Sequence, residues 1–167
     1  MGLFDKLFGK NEVMELPEIA DDAIVSLGVG EIVDIKSVSD DMFAQEVMGK
    51  SIAFQLTGKT VCSPVNGKVE VAFTTGHSFA VRMKDGTGIL VHIGVDTVSL
   101  NGKGFKMLAK VGQEVKAGQP MVEVNWNTVK EAGLDTSTML IVTEPVEGKE
   151  YNFIAPQTVS NYQQVNK

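Results

Sequence analysis

Imidazole is the side chain that most readily accepts, holds or passes on a group near neutral pH. This chain has two, His77 and His92. His77 stands in Phe73-Thr74-Thr75-Gly76-His77-Ser78-Phe79, and His92 in Ile89-Leu90-Val91-His92-Ile93-Gly94-Val95-Asp96. A turn-forming stretch, Lys84-Asp85-Gly86-Thr87-Gly88, falls between them. If the flanking apolar runs pair as a hairpin, the rings come to similar heights on neighbouring strands, where facing Cβ atoms are about 4.5–5.5 Å apart. Gly94, two residues past His92, would leave open space on the same face. The Thr75 hydroxyl, two residues before His77, can bond that ring and fix its tautomer. Three uses are open. Two imidazoles and the Asp96 carboxylate could hold zinc. One imidazole nitrogen could attack a phosphoryl group while the other steadies its oxygens. Or both could be satisfied structural residues. Two imidazoles gathered around a glycine weigh toward chemistry, since an ordinary core has little reason to place them so.

The elements that must position these residues read as strands. Alternating runs occur at Gly30–Ile35, Ser51–Leu56, Gly67–Phe73, Ser78–Met83, Gly88–Ile93, Pro120–Val124 and Thr138–Val142. Thr57-Gly58, Asn66-Gly67, Asp85-Gly86 and Asn101-Gly102 separate them and supply turns with positive φ. Many short strands at this spacing predict an all-β sandwich or barrel. Short helices are expected at Asp40–Met48, with Asp near the start, at Gly104–Leu108 and at Thr128–Ala132.

A length of 167 residues suits one domain with a sizeable core. The 43% hydrophobic and 22% charged content excludes a chain disordered throughout. A net charge of −6 argues against a nucleic-acid partner. The single cysteine, Cys62, admits no internal disulfide and reads as a small buried hydrophobe. No apolar run is long enough to span a membrane and no secretory signal is evident, so a cytoplasmic protein is expected. At the N-terminus, Leu3 with Leu7 and Phe4 with Phe8 fall on one stripe of a helix. Residues 1–20 are therefore expected to be a flexible tail with an amphipathic stretch whose residues 1–10 could touch a membrane weakly. Residues 21–167 would form the domain.

Two resemblances follow from the motifs. The segment Val111–Val124 has the glycine-turn pattern of lipoyl and biotinyl carrier domains, but Lys84, after Met83, lacks the Met-Lys-Met setting those cofactors need. It is read as shared hairpin architecture. The second resemblance is closer and covers about residues 20–125. Gly86-Thr87-Gly88-Ile89-Leu90-Val91-His92-Ile93-Gly94-Val95-Asp96-Thr97-Val98 resembles the signature of the glucose-type IIA component of the bacterial sugar phosphotransferase system. The His77 segment, Ser63-Pro64-Val65-Asn66-Gly67 and Leu100-Asn101-Gly102-Lys103-Gly104-Phe105 match further parts, and Met1–Leu7 resembles the opening of the free-standing form.

The resemblance implies an antiparallel β-sandwich with a duplicated-hairpin, barrel-like architecture and a few short helices. It implies a phosphotransferase component with a transient phosphohistidine. His92 would accept the phosphoryl group through Nε2 from the phosphorylated histidine carrier protein, His77 would stabilise it, and Thr75 would orient His77. A IIB domain of a membrane IIBC permease would take the group onward to sugar, glucose and related glucosides being the expected class. An apolar ring of Phe43, Val47, Met48, Phe73, Phe79 and Leu90, fringed by Asp40 and Asp96, would bind these partners. Leu90 stands where some relatives have a larger aromatic, and Met48 where some have valine. No cofactor is required, although His77 and His92 could bind zinc together with a partner's carboxylate. Two other readings fit part of the pattern. A lysostaphin-like zinc hydrolase shares the hairpin architecture and the His92-x-x-x-Asp96 spacing, but it needs a third histidine. A purely regulatory binding module would act on transporters or metabolic enzymes.

Overall fold

The structure, a computed structural model, describes residues 15–167. The amphipathic stretch expected at residues 1–10 lies outside them. Among the described residues there are eleven strands, two short α-helices and two 3-10 turns. In chain order the strands are β1 (Gly30–Val33), β2 (Lys50–Leu56), β3 (Thr60–Cys62), β4 (Gly67–Ala72), β5 (Ser78–Arg82), β6 (Gly88–Ile93), β7 (Phe105–Met107), β8 (Glu114–Val115), β9 (Pro120–Val124), β10 (Thr138–Glu144) and β11 (Thr158–Val159). The helices are α1 (Asp41–Ala44) and α2 (Trp126–Glu131), and the 3-10 turns are Ile35–Ser37 and Thr97–Leu100.

An eight-stranded sheet runs β11-β1-β2-β10-β6-β5-β4-β8, and a three-stranded sheet runs β3-β9-β7. The assigned pairings are antiparallel. The main hydrophobic core lies between the sheets. Phe54, Phe79, Val91, Ile93 and Leu140 from the large sheet meet Val61, Met121 and Val122 from the small one. The large sheet is apolar on its other face too. Ala53, Met139 and Ile141 point there and are covered by Val38, Phe43 and Val95. β10 is thus buried on both faces over Thr138–Val142, which is why it reads as a continuous apolar run.

The all-β, antiparallel expectation with short helices holds, but the duplicated-hairpin, barrel-like architecture does not. The sheets are open and of unequal size, and the large one ends in two-residue strands, β8 and β11, that pair inward only. Local alternation sets strand pairing; closure depends on whether the outermost strands meet, and alternation carries no information on that. The helix expected at Gly104–Leu108 is instead strand β7, paired with β9. Five residues with apolar Phe105 and Met107 two apart suit a strand as well as a helical turn. The helix expected over Asp40–Met48 spans only Asp41–Ala44. The carrier-like segment does turn between strands, yet β8 joins the large sheet and β9 the small one, so it is a crossover and not a hairpin.

Phe54 is fully buried at the centre of the core. Truncating it, Phe54→Ala, removes a ring that the surrounding strands cannot collapse to replace. The expected loss is about 3–5 kcal/mol of folding stability, read from the midpoint of urea unfolding. A loss under about 1 kcal/mol would contradict this packing.

Candidate functional site

The two histidines meet where the β5–β6 hairpin opens away from its turn. The register sets Ser78 opposite His92 and Phe79 opposite Val91. His77 lies one residue before β5, and its carbonyl accepts the Ile93 N–H at 2.8 Å. Alternation along β6 buries Ile89, Val91 and Ile93 and turns Leu90 and His92 to the partly exposed face. The ring centroids of His77 and His92 are 5.5 Å apart, nearly perpendicular. The expected juxtaposition therefore forms, with a one-residue offset.

Each ring is held from its Nδ1 side. His92 Nδ1 lies 2.7 Å from the Gly94 carbonyl oxygen. A carbonyl can only accept, so Nδ1 carries the proton and the neutral ring keeps its lone pair on Nε2. The Thr75 hydroxyl lies 2.7 Å from His77 Nδ1, as its spacing predicts. Among the described residues no hydrogen bond engages Nε2 of either ring. Gly94 works differently from expectation. Its φ is +72°, and a Cβ there would stand 2.5 Å from Thr97 Cγ2 and 3.2 Å from the Asp135 carbonyl oxygen. It opens no space for a ligand. It lets the chain turn so that its own carbonyl faces back to His92.

Aromatic rings wall the site. Phe43 packs 5.0 Å from His92, and Phe73 5.0 Å from His77. The His77 turn is tight: the Gly76 N–H donates to the Phe73 carbonyl at 2.8 Å. Gly76 has φ +74°, and a Cβ there would stand 2.6 Å from Cβ of Phe105 on β7. Burial holds His77 below the ordinary imidazole value, and the neighbouring His92 adds to this. Burial also lowers His92, opposed by the Gly94 bond and by the negative charges of Asp40 and Asp96. Both rings are neutral at pH 7.

The remaining expected residues divide by position. Asp40 caps α1 by accepting the Met42 N–H at 2.8 Å. Phe43, on α1, is buried, while Val47 and Phe73 are exposed. Met48 and Leu90 are half-buried beside Phe43. Asp96 is exposed and takes a left-handed conformation just before the second 3-10 turn. Phe79 alone is out of reach: it is fully buried in the main core opposite Val91, so it supports the hairpin from beneath and presents nothing to a docked partner. Sequence reading passed over Met42 on α1 and Val98 on the 3-10 turn, both about half exposed. Their signal was an apolar residue within two positions of an acidic one, Met42 next to Asp41 and Val98 two residues after Asp96. Among the described residues no set of three or more His, Cys, Asp or Glu side chains is grouped so as to hold a metal ion. The two free Nε2 atoms would supply two of zinc's usual four ligands.

The chain matches, over residues 22–147, the family described as phosphoenolpyruvate-dependent sugar phosphotransferase system, EIIA 1. It is 36% identical over 143 residues to the PTS system glucose-specific EIIA component of Haemophilus influenzae, spanning 86% of this chain and 84% of that protein. It is 35% identical over 150 residues to the protein of the same name from Staphylococcus aureus, spanning 90% and 88%. The fold is similar to that of glucose permease IIA from Mycoplasma capricolum, with TM-score 0.82, 31% identity and coverage of 86% and 93%. No helix among the described residues is long and apolar enough to cross a membrane.

Two outcomes test this geometry. Because both folded-state histidine values lie below the ordinary 6.5, the unfolded chain takes up protons first as pH falls. Their contribution to stability is complete above about pH 6.5 and declines below it. His92→Gln should flatten that decline in unfolding midpoints measured across the interval; an unaltered slope would contradict a buried neutral ring. Gly94→Ala forces a strained φ and a clash with Thr97. It should cost about 1–3 kcal/mol, and the ¹⁵N shifts of the His92 ring should then lose the signature of a single Nδ1–H tautomer.

Proposed function

Because the chain belongs to the EIIA 1 family of the phosphoenolpyruvate-dependent sugar phosphotransferase system, and so is a phosphoryl carrier between the histidine phosphocarrier protein and a IIB domain, we propose that His92 is the residue that carries the phosphoryl group, on Nε2. The observation that supports this is the bond from His92 Nδ1 to the Gly94 carbonyl. It leaves Nε2 with a lone pair at neutral pH, so no base need remove a proton before attack.

The transfer is an in-line displacement. The N–P bond of the donor's phosphohistidine breaks as the bond from phosphorus to His92 Nε2 forms, and the donor ring leaves with its electron pair. On onward transfer the Nε2–P bond breaks as the IIB nucleophile bonds to phosphorus. His92 Nδ1 keeps its proton throughout, and its bond to Gly94 strengthens while the ring bears positive charge. His77 supports the phosphate. The Thr75 hydroxyl lies 2.7 Å from His77 Nδ1; when it donates there, the His77 proton sits on Nε2, where it can donate to a phosphoryl oxygen.

Docking falls to the surface around the rings. Phe43, Val47, Met48, Phe73 and Leu90 offer apolar contact without directional demand, which suits successive partners. Asp40 and Asp96 form an acidic rim for basic residues of those partners. Phe79 contributes from beneath. The carrier reaction supports a cytoplasmic location, where a IIB domain of a membrane permease would receive the group. The names of its relatives support glucose or a related glucoside as the sugar. The carrier reaction itself calls for no cofactor. In the unphosphorylated state the two imidazoles could hold zinc with a carboxylate from a regulatory partner.

Incubation with phosphoenolpyruvate, enzyme I and the histidine phosphocarrier protein should label the chain once, at His92, with an acid-labile and base-stable bond. His92→Ala should take up no label; stoichiometric labelling of that variant would overturn the assignment. His77→Gln should still accept the group but pass it to a IIB domain slower by roughly a hundredfold or more, as expected for loss of one stabilising donor. Normal onward transfer would remove His77 from the mechanism.

A further inference from the structure

Asp135 lies between α2 and β10, in a stretch where the sequence carries no motif. One of its carboxylate oxygens accepts the Ser39 N–H at 3.0 Å, and the other accepts the Ser137 N–H at 2.8 Å. Its backbone carbonyl accepts the Val95 N–H at 2.9 Å. The same carbonyl lies against Gly94, 3.2 Å from where a Cβ would be. One residue thus ties together three separate segments: the approach to α1, the turn that follows His92, and the start of β10. Ser39 precedes Asp40, and Val95 precedes Asp96. The two rim carboxylates are each one residue from an atom that Asp135 holds. Burial pushes the Asp135 carboxyl up, but the bonds from Ser137 and Ser39 outweigh it and keep the group below its ordinary value. It is a carboxylate at neutral pH, able to accept both bonds at once.

We propose that Asp135 is a positioning residue for partner docking, clamping Asp40 and Asp96 in fixed places relative to His92. It touches neither the rings nor the incoming group. Its effect is on the cost of binding: a rim held in place before encounter loses less freedom when a partner arrives. The side-chain bond to Ser39 is the one that ties α1, and with it Phe43 and Asp40, to the His92 turn. The inference rests on the reading that His92 is phosphorylated and that the rim docks the donor.

The test uses the full chain and the phosphorylated histidine phosphocarrier protein as donor, with initial rates giving KM and kcat separately. Asp135→Asn retains one accepting oxygen and should raise KM about threefold. Asp135→Ala retains none and should raise it about tenfold. In both, kcat should stay within about twofold, because the His92–Gly94 bond is untouched. Hydrogen exchange should quicken at the Ser39 amide and stay unchanged at Val91. The deciding comparison repeats Asp135→Ala in a chain that already carries Asp40→Asn and Asp96→Asn. With no charged rim left to place, it should raise KM by less than about twofold. An unchanged KM in the single variant overturns the proposal. So does a tenfold rise that persists without the rim, or a joint loss of kcat and KM that follows a lowered melting temperature. A wild-type chain that takes no phosphoryl group on His92 would instead sink the reading beneath it.

Discussion

The hydrogen bond from His92 Nδ1 to the carbonyl two residues on decides what the site can do. An imidazole free to choose its tautomer offers a nucleophilic nitrogen on either side. Here the acceptor is a carbonyl, which has no proton to give, so the choice is made by the backbone. The bond exists because the chain turns back on itself at Gly94, whose positive φ and contact with Thr97 leave no room for a side chain. Thr97 is itself fully buried, and its hydroxyl donates to the Ile93 carbonyl. The turn is therefore anchored at both ends. The next residue, Val95, is fixed by its N–H to Asp135. If His92 is the nucleophile, its free Nε2 is set by backbone geometry and needs no neighbouring general base.

That turn is only as rigid as the sheet beneath it, and the sheet explains why the site sits where it does. The large sheet is apolar on both faces. The small sheet covers one, and only the 3-10 turn, α1 and neighbouring loops cover the other. This second cover is incomplete. Met42, Val47, Phe73 and Val98 remain exposed, and Phe73 packs against His77. A stable monomer would ordinarily bury or replace such residues, and a patch of this kind marks a surface that other proteins cover. The same incompleteness sets the electrostatics: His92 is buried enough to stay neutral yet open enough for a phosphoryl group to arrive. The proposed catalytic and docking surfaces would then share one structural origin, a sheet face that its own chain covers incompletely.

What the sequence made legible was local. The hairpin, the height of the two rings and the Thr75–His77 contact depend on spacings of fifteen residues or fewer, and alternation with turn residues encodes them. The family resemblance supplied the roles. Other features depended on information that spacing does not hold. A glycine beside a histidine reads alike whether it opens space or bends the backbone, so Gly94 was assigned the wrong service. Phe79 was placed on the surface because the strand register was unknown, and only register shows it facing Val91. The segment Gly104–Leu108 was too short to show its period, yet as strand β7 it carries the Phe105 that braces Gly76. Asp135 was invisible because its partner Ser39 is 96 residues away, and an isolated aspartate in a loop signals nothing on its own. Sheet closure was likewise a property of the outermost strands and of no local pattern.

The acidic rim at first sight opposes the proposed chemistry. A phosphohistidine brings close to two negative charges, and Asp40 and Asp96 lie near enough to act on the His92 ring. Their repulsion raises the free energy of the phosphorylated state. For an enzyme that stored the group this would be a defect, but for a carrier it has a use. A carrier must accept from one partner and donate to the next along a chain of nearly equal steps, and a group bound too firmly would not leave. In the proposed mechanism the carboxylates therefore serve twice. They attract basic residues of an approaching partner, whose cations then neutralise the phosphate and the rim together at the moment of transfer. Once the partner departs, the repulsion returns and keeps the group labile. Such a balance works only if the carboxylates hold a fixed distance from Nε2, since Coulomb interaction near a protein surface varies over a few ångströms. A rim on free loops would relax away from the phosphate and lose that effect, whereas the proposed rim is tied to the His92 turn through Asp135, which holds the Ser39 and Val95 amides.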